Sequence, residues 1–119
     1  MRLLQVALRA EAQERAAAFY TALLGAPPAG RFGPLLFFRI GDVRLLFEEG
    51  AAPALIYLEV PDLHAALAAL PDGAAVVEAP RRIFVHPDDA LGPERAEEWH
   101  GAFRDPEGNT VVLVALVRS

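Results

Sequence analysis

Ala102-Phe103-Arg104-Asp105-Pro106-Glu107-Gly108-Asn109-Thr110-Val111-Val112-Leu113 is the stretch on which the reading of this chain turns. Pro106 fixes its own φ, and Gly108 or Asn109 can take a left-handed conformation. The segment therefore reads as a tight turn between a strand over Trp99 to Arg104 and a last strand over Thr110 to Val117.

The pattern upstream is of the same kind. Leu3 to Arg9 alternates, with Leu4, Val6 and Leu8 on one face and Leu3, Gln5, Ala7 and Arg9 on the other, as a strand requires. Glu11 to Leu24 then reads as a helix, with Glu11 and Glu14 in its first turn and Gly25 as its stop. Pro27-Pro28 prevents continuation. Leu35 to Ile40 and Val43 to Glu48 are apolar runs joined by Gly41-Asp42, the spacing of a two-residue hairpin. Gly50 to Pro53 is a plausible linker, and the pattern restarts after it: strand Ala54 to Val60, helix Leu63 to Leu70, turn Pro71-Asp72-Gly73, and short strands at Ala74 to Glu78 and Ile83 to Val85. Pro87 to Glu98 is acidic and proline-bearing and is expected to be a surface loop or a single helical turn. Laid over residues 53–59, residues 3–9 match Leu4, Val6 and Leu8 to Ala54, Ile56 and Leu58, so two related modules are expected. Strand, helix and then a run of strands implies an α+β arrangement with helices on one face of each sheet.

Composition narrows the chemistry. At 119 residues and 54% hydrophobic content, the chain has material for one core. With no cysteine, disulfides, thiolate metal sites and cysteine nucleophiles are excluded. Net charge is −5, and the longest basic run is the pair Arg81-Arg82, so nucleic acid is not an expected partner. Apolar runs are of strand length, short of the roughly 20 residues of a membrane span, and Gln5, Arg9 and Glu11 interrupt any signal-peptide core. No membrane association and a cytoplasmic location are expected. All the basic residues are Arg, a bias that bears on the source and not on activity.

Phe103-x-Asp105-Pro106-Glu107-Gly108-Asn109 followed by a last strand resembles the closing motif of the vicinal oxygen chelate superfamily, which includes glyoxalases, bleomycin resistance proteins and extradiol dioxygenases. Phe19-Tyr20-x-x-Leu23-Leu24-Gly25 resembles the end of that family's first helix. Together with the repeat, the resemblance covers almost the whole chain. It implies a single glyoxalase-like domain over 1–119, with module one at about 1–51 and module two at about 52–119. Its implied fold is α+β: two sequential βαβββ modules whose curved mixed sheets enclose a cleft, with helices on the outer faces. It also implies a homodimer.

Metal-using members place a ligand on the first and last strand of each module. Carried over by position, these places are Gln5, Leu46, Leu55 and Val112. Only Gln5 has a lone pair to offer, so the expectation is no metal and no cofactor. Glyoxalase I, extradiol dioxygenase, epimerase and metal-dependent thiol-transfer activities, which depend on the metal in the family, are not expected.

The same strand periodicity sets the candidate ligand contacts. Gln5 lies opposite the apolar face of its strand and offers a donor and an acceptor, although water or backbone would satisfy it as well. Leu55, Tyr57 and Glu59 share the face opposite Ile56 and Leu58; Tyr57 combines an apolar ring with a polar handle, and packing alone accounts for it equally well. Arg44 and Leu46 lie opposite Val43, Leu45 and Phe47, and Arg44 is either an anion contact or a solvated rim charge. Val112 completes the set. Trp99 and His100 stand where the family often has an aromatic pair at the cleft mouth, and the His100 imidazole suits acid–base work near neutral pH. His64 and His86 read as surface or loop histidines. Asp88, Asp89, Glu94, Glu97 and Glu98 read as a solvated acidic loop without the spacing of a calcium site.

Two functional classes follow. One is a metal-free small-molecule-binding protein of the bleomycin-resistance kind, holding a partly apolar ligand in the inter-module cleft. The other is a glyoxalase-like enzyme (lyase, isomerase or dioxygenase) with a displaced metal site or metal-free acid–base chemistry from Glu48, Tyr57, Glu59 or His100; no catalytic residue is assigned. A scaffold domain with a filled cleft is the blandest outcome.

Overall fold

Alternation in the opening residues becomes strand β1 (Gln5–Arg9), and the helical stretch becomes α1 (Gln13–Leu24). A computed structural model describes residues 1–118, and the chain divides into two compact units within it. The first unit comprises Met1–Ala54, Pro71–Gly73 and Asp105–Asn109; the second comprises Leu55–Leu70, Ala74–Arg104 and the chain from Thr110 onward.

In the first unit, β1 and α1 are followed by β2 (Gly30–Phe32), β3 (Leu35–Ile40) and β4 (Val43–Glu48), in a sheet of order β1-β4-β3-β2. β1 runs parallel to β4, and the other pairs are antiparallel. The β3–β4 connection is the expected two-residue hairpin, because Ile40 pairs with Val43 and Gly41 has φ +56°. A positive φ at the first central position is what a type II′ turn demands, which explains why Gly precedes Asp here. One face of the sheet carries Leu8, Leu36, Phe38, Leu45 and Phe47, all buried. Tyr20 of α1 packs into it with its ring centroid 4.5 Å from that of Phe47. Each such side chain contributes about 1.5–3 kcal/mol by leaving water. Gly25 ends α1 at φ +71°, its N–H donating to Thr21 O.

The second unit repeats the plan with β5 (Leu55–Glu59), α2 (Leu63–Ala68), β6 (Ala75–Val85), β7 (Glu97–Arg104) and β8 (Thr110–Val117), in the order β5-β8-β7-β6. Asp62 caps α2 by accepting the Ala65 N–H at 3.0 Å. Gly101 sits beneath α2, where an added Cβ would lie 2.7 Å from the Leu67 side chain. The fold is thus α+β, with eight strands in two mixed four-stranded sheets and one helix per βαβββ module among the described residues.

Two local expectations are corrected, and one strand is additional to those expected. The three-residue strand β2 has no alternation of its own to announce it. The two short strands expected at Ala74 to Glu78 and Ile83 to Val85 are one strand, β6, because an edge strand tolerates Pro80 and register shifts near Val76, Glu78 and Arg82. Glu97 and Glu98 belong to β7 rather than to the acidic loop. Among the described residues, no helix is long and apolar enough to cross a membrane.

Candidate functional site

The turn that decides the fold is held by its own polar side chains, and all of its contacts lie in the first unit. Asp105 Oδ1 accepts the N–H groups of Glu107 and Asn109 at 2.8 and 2.9 Å, which closes the turn, while Gly108 supplies φ +94°. Asp105 Oδ2 accepts from Tyr20 Oη at 2.5 Å and from Asn109 Nδ2 at 2.8 Å. Asn109 is fully buried; its Oδ1 accepts from Arg9 N and Ala54 N at 3.0 and 2.9 Å, and its Nδ2 also donates to Arg9 O at 2.7 Å. Glu107 accepts the Ala12 N–H at 2.9 Å and the Arg15 guanidinium at 2.6 Å. Ala12 caps α1 without a side-chain acceptor, and Glu107 accepts the N–H of this N-cap residue itself, the part that the N3 Glu plays in a capping box, from elsewhere in the chain. Burial raises the Glu107 pKa, but the hydrogen bonds from Arg15 and Ala12 outweigh it and hold the carboxyl below its usual value of 4.5. Burial and the Asp105 charge push the Tyr20 phenol upward. The side-chain polar atoms of Asp105, Glu107 and Asn109 are all engaged in holding the fold.

Chemistry-bearing side chains gather instead on the face of the second unit's sheet turned away from α2. Leu55, Tyr57 and Glu59 project there from the edge strand β5, all exposed. Register aligns Tyr57 with Val112 and Ala102, and Glu59 with Val114 and His100. Tyr57 is 58% exposed and meets the His100 ring edge-on at 5.7 Å between centroids, while Val112 is buried beside it. His100 Nε2 lies 2.6 Å from Glu98 Oε2, and His86 Nε2 lies 2.9 Å from Glu98 Oε1. A single carboxylate therefore binds two imidazoles, one on each oxygen. Burial raises the Glu98 pKa, but the hydrogen bonds from His100 and His86 outweigh it and hold the carboxyl below the usual range. His86, only 1% exposed, stacks on Phe84 at 4.6 Å, and its N–H donates to Ala96 O.

Trp99 is separated from His100. It alternates onto the α2 side, where it lines a cavity of about 390 Å³ with Pro61, Leu63 and Ala115, and its Nε1–H donates to Glu97 at 3.0 Å. Adjacent residues of a strand point to opposite faces, so the two cannot form one aromatic pair. In the first unit, Gln5, Arg44 and Leu46 do share the face away from α1. Arg44 lies over the Phe37 ring, 5.6 Å from its centroid.

The residues at the four family metal positions do not fit a metal. Leu46, Leu55 and Val112 are hydrocarbons with no lone pair, which leaves the Gln5 amide alone against a usual requirement of three or more N or O donors. Both His86 and His100 direct Nε2 at Glu98, and among the described residues no group of three His, Asp or Glu side chains could hold an ion.

Sequence reasoning missed the roles of His86 and Glu98. The spacing Glu98-x-His100 was a usable signal, because it places both on one strand face once β7 is extended to Glu97. His86 carried no local signal.

The sequence pattern of the Glyoxalase/Bleomycin resistance protein/Dioxygenase superfamily matches residues 2–113. No curated protein matches the chain. Among solved structures, it resembles a glyoxalase/bleomycin resistance protein from Albidiferax ferrireducens, with 20% identity over 93% of this chain and 96% of that one and a TM-score of 0.65. A glyoxalase/bleomycin resistance protein/dioxygenase family enzyme from Burkholderia phytofirmans is 17% identical over 98% and 100% of the two chains, with a TM-score of 0.72. A lactoylglutathione lyase from Agrobacterium tumefaciens is 20% identical over 96% and 92%, with a TM-score of 0.68. At these identities the likeness is one of fold, and with the pattern match across both modules it places the chain in the glyoxalase/bleomycin resistance protein/dioxygenase superfamily.

Proposed function

We propose that this chain is a small-molecule-binding protein of the glyoxalase/bleomycin-resistance type that works without a metal. Its ligand is partly apolar and rests against Leu55, Tyr57, Glu59 and His100. The observation that carries this reading is Tyr57, a large aromatic left more than half exposed beside an imidazole that Glu98 already orients. A ring available for stacking next to a few fixed polar groups is the usual composition of a small-molecule site. Thermal-shift screening against a metabolite library tests it, since a ligand at a hundred times its Kd stabilises the folded state by about 2.7 kcal/mol. A hit that disappears in Tyr57→Ala and His100→Ala supports the assignment. Hits that survive both changes overturn it.

A second reading is favoured by the 2.6 Å contact between Glu98 and His100. A carboxylate holding one imidazole nitrogen fixes the tautomer and leaves the other nitrogen available as a base, so the same face could remove a proton from a bound ligand. Incubation of each hit in deuterium oxide, followed by mass spectrometry, tests this. Deuterium incorporation that is lost in His100→Ala supports it, and no incorporation into any bound compound refutes it.

A further inference from the structure

Like charges stand directly opposite each other in the first unit's sheet. Arg39 of β3 pairs with Arg44 of β4, and Arg44 pairs in turn with Gln5 of β1, so two guanidiniums and a carboxamide form one row across three strands. Like charges directly opposed across a ladder destabilise the sheet. No acidic side chain compensates them, and Arg44 has only the face of the Phe37 ring beneath it. Among the described residues, neither arginine has a carboxylate within salt-bridge distance, although the chain carries 16 acidic residues. Arg39 makes one long contact, to Gly41 O at 3.4 Å, and Gln5 Oε1 is buried without a partner.

These arginines line a small cavity of about 170 Å³ with Gly30, Phe32 and Phe37. The two phenylalanine rings meet edge-to-face at 5.9 Å, Phe32 is 69% exposed, and an added Cβ at Gly30 would come within 3.2 Å of the Phe32 ring. The cavity thus has an apolar wall and a cationic rim that no carboxylate of the described residues meets.

We propose that this cavity binds a small organic carboxylate, with the carboxylate received by Arg39 and Arg44 and a flat apolar body laid on Phe32 and Phe37. The guanidinium fork matches the planar carboxylate, and charge-assisted hydrogen bonds of this kind are about twice as strong as neutral ones. The size of the cavity confines the ligand to about one ring, below the range of drug-sized sites. All the contacts lie within the first unit, so the inference stands apart from the reading of the Tyr57 face.

Titration with benzoate at constant ionic strength, followed by NMR of the amide and arginine side-chain resonances, tests it. Benzoate is expected to saturate and to perturb Arg39, Arg44 and Phe32, with benzyl alcohol at least tenfold weaker. Arg39→Gln and Arg44→Gln should each weaken benzoate about tenfold or more. Each should also leave the free protein as stable as before or slightly more so, because the opposed charges are relieved. Phe32→Ala should weaken benzoate but not acetate, and Tyr57→Ala should change neither. Three results overturn the proposal: no saturable binding, equal binding of benzoate and benzyl alcohol, or arginine variants that bind as the parent does.

Discussion

Replacing Asn109 with Ala removes four hydrogen bonds while leaving the turn's backbone contacts to Asp105 in place. Arg9 N, Ala54 N and Arg9 O each lose the partner that the amide provided at 2.7–3.0 Å, and Asp105 Oδ2 loses one of its two donors. An unsatisfied buried polar group costs about 1–3 kcal/mol. Arg9 and Ala54 are only partly buried, so water recovers some of the loss and the lower end of that range applies to the three backbone groups. The remaining Asp105 contact brings the sum to about 3–4 kcal/mol, a large part of the 5–15 kcal/mol typical of a whole domain. For a chain of this length the melting temperature should fall by roughly 10–20 °C. Urea unfolding of parent and variant, with equal m-values, measures the difference. Arg31→Gln is the control, because the Arg31–Glu14 pair is exposed and should contribute no more than about 1 kcal/mol. A loss below about 1 kcal/mol for Asn109→Ala would show that the polar turn does not hold β1 in place.

Gly101→Ala should destabilise by about 1–3 kcal/mol in the same assay, since the new methyl meets the Leu67 and Leu63 side chains at 2.7 and 3.4 Å; an unchanged midpoint would mean that α2 is loosely seated. Acid should weaken the fold through Glu107. Its folded pKa lies below the ordinary 4.5, so its contribution is complete above that value and is lost as the pH falls through the folded pKa. Glu107→Gln should flatten that part of the stability–pH profile, and a parallel profile would contradict the sign. Tyr20→Phe removes one donor to Asp105 and should cost about 1.5–3 kcal/mol in urea unfolding, with no cost meaning that the 2.5 Å bond contributes nothing.

Period-2 alternation made β1, β4 and β5 legible in the sequence, the apolar run Leu35 to Ile40 and its two-residue spacing from Val43 marked β3, and Gly25, Gly41 and Gly108 marked the turns that join elements. Packing against a single helix forces that alternation, which is why faces as well as elements could be assigned. The placements of Gln5, Arg44 and Leu46 on one face, and of Tyr57 and Glu59 on another, came from this periodicity. Features that depend on contacts between distant segments were not legible. The pairing of Arg39 with Arg44 follows only from hairpin register, and the placing of His86 against Glu98 follows from a loop that folds back through Ala96. Trp99 and His100 are neighbours on β7 and so face opposite sides of the sheet, a separation that the family resemblance does not carry.

The most direct measurement is thermal-shift screening of protein stripped with EDTA, run beside protein given Ni, Zn, Mn or Fe, on the parent and on Tyr57→Ala, with bound metal quantified by elemental analysis. No tightly held stoichiometric ion is expected, and at least one compound should stabilise the stripped parent but not Tyr57→Ala. A stoichiometric ion, or stabilisation that appears only with added metal, would contradict this expectation.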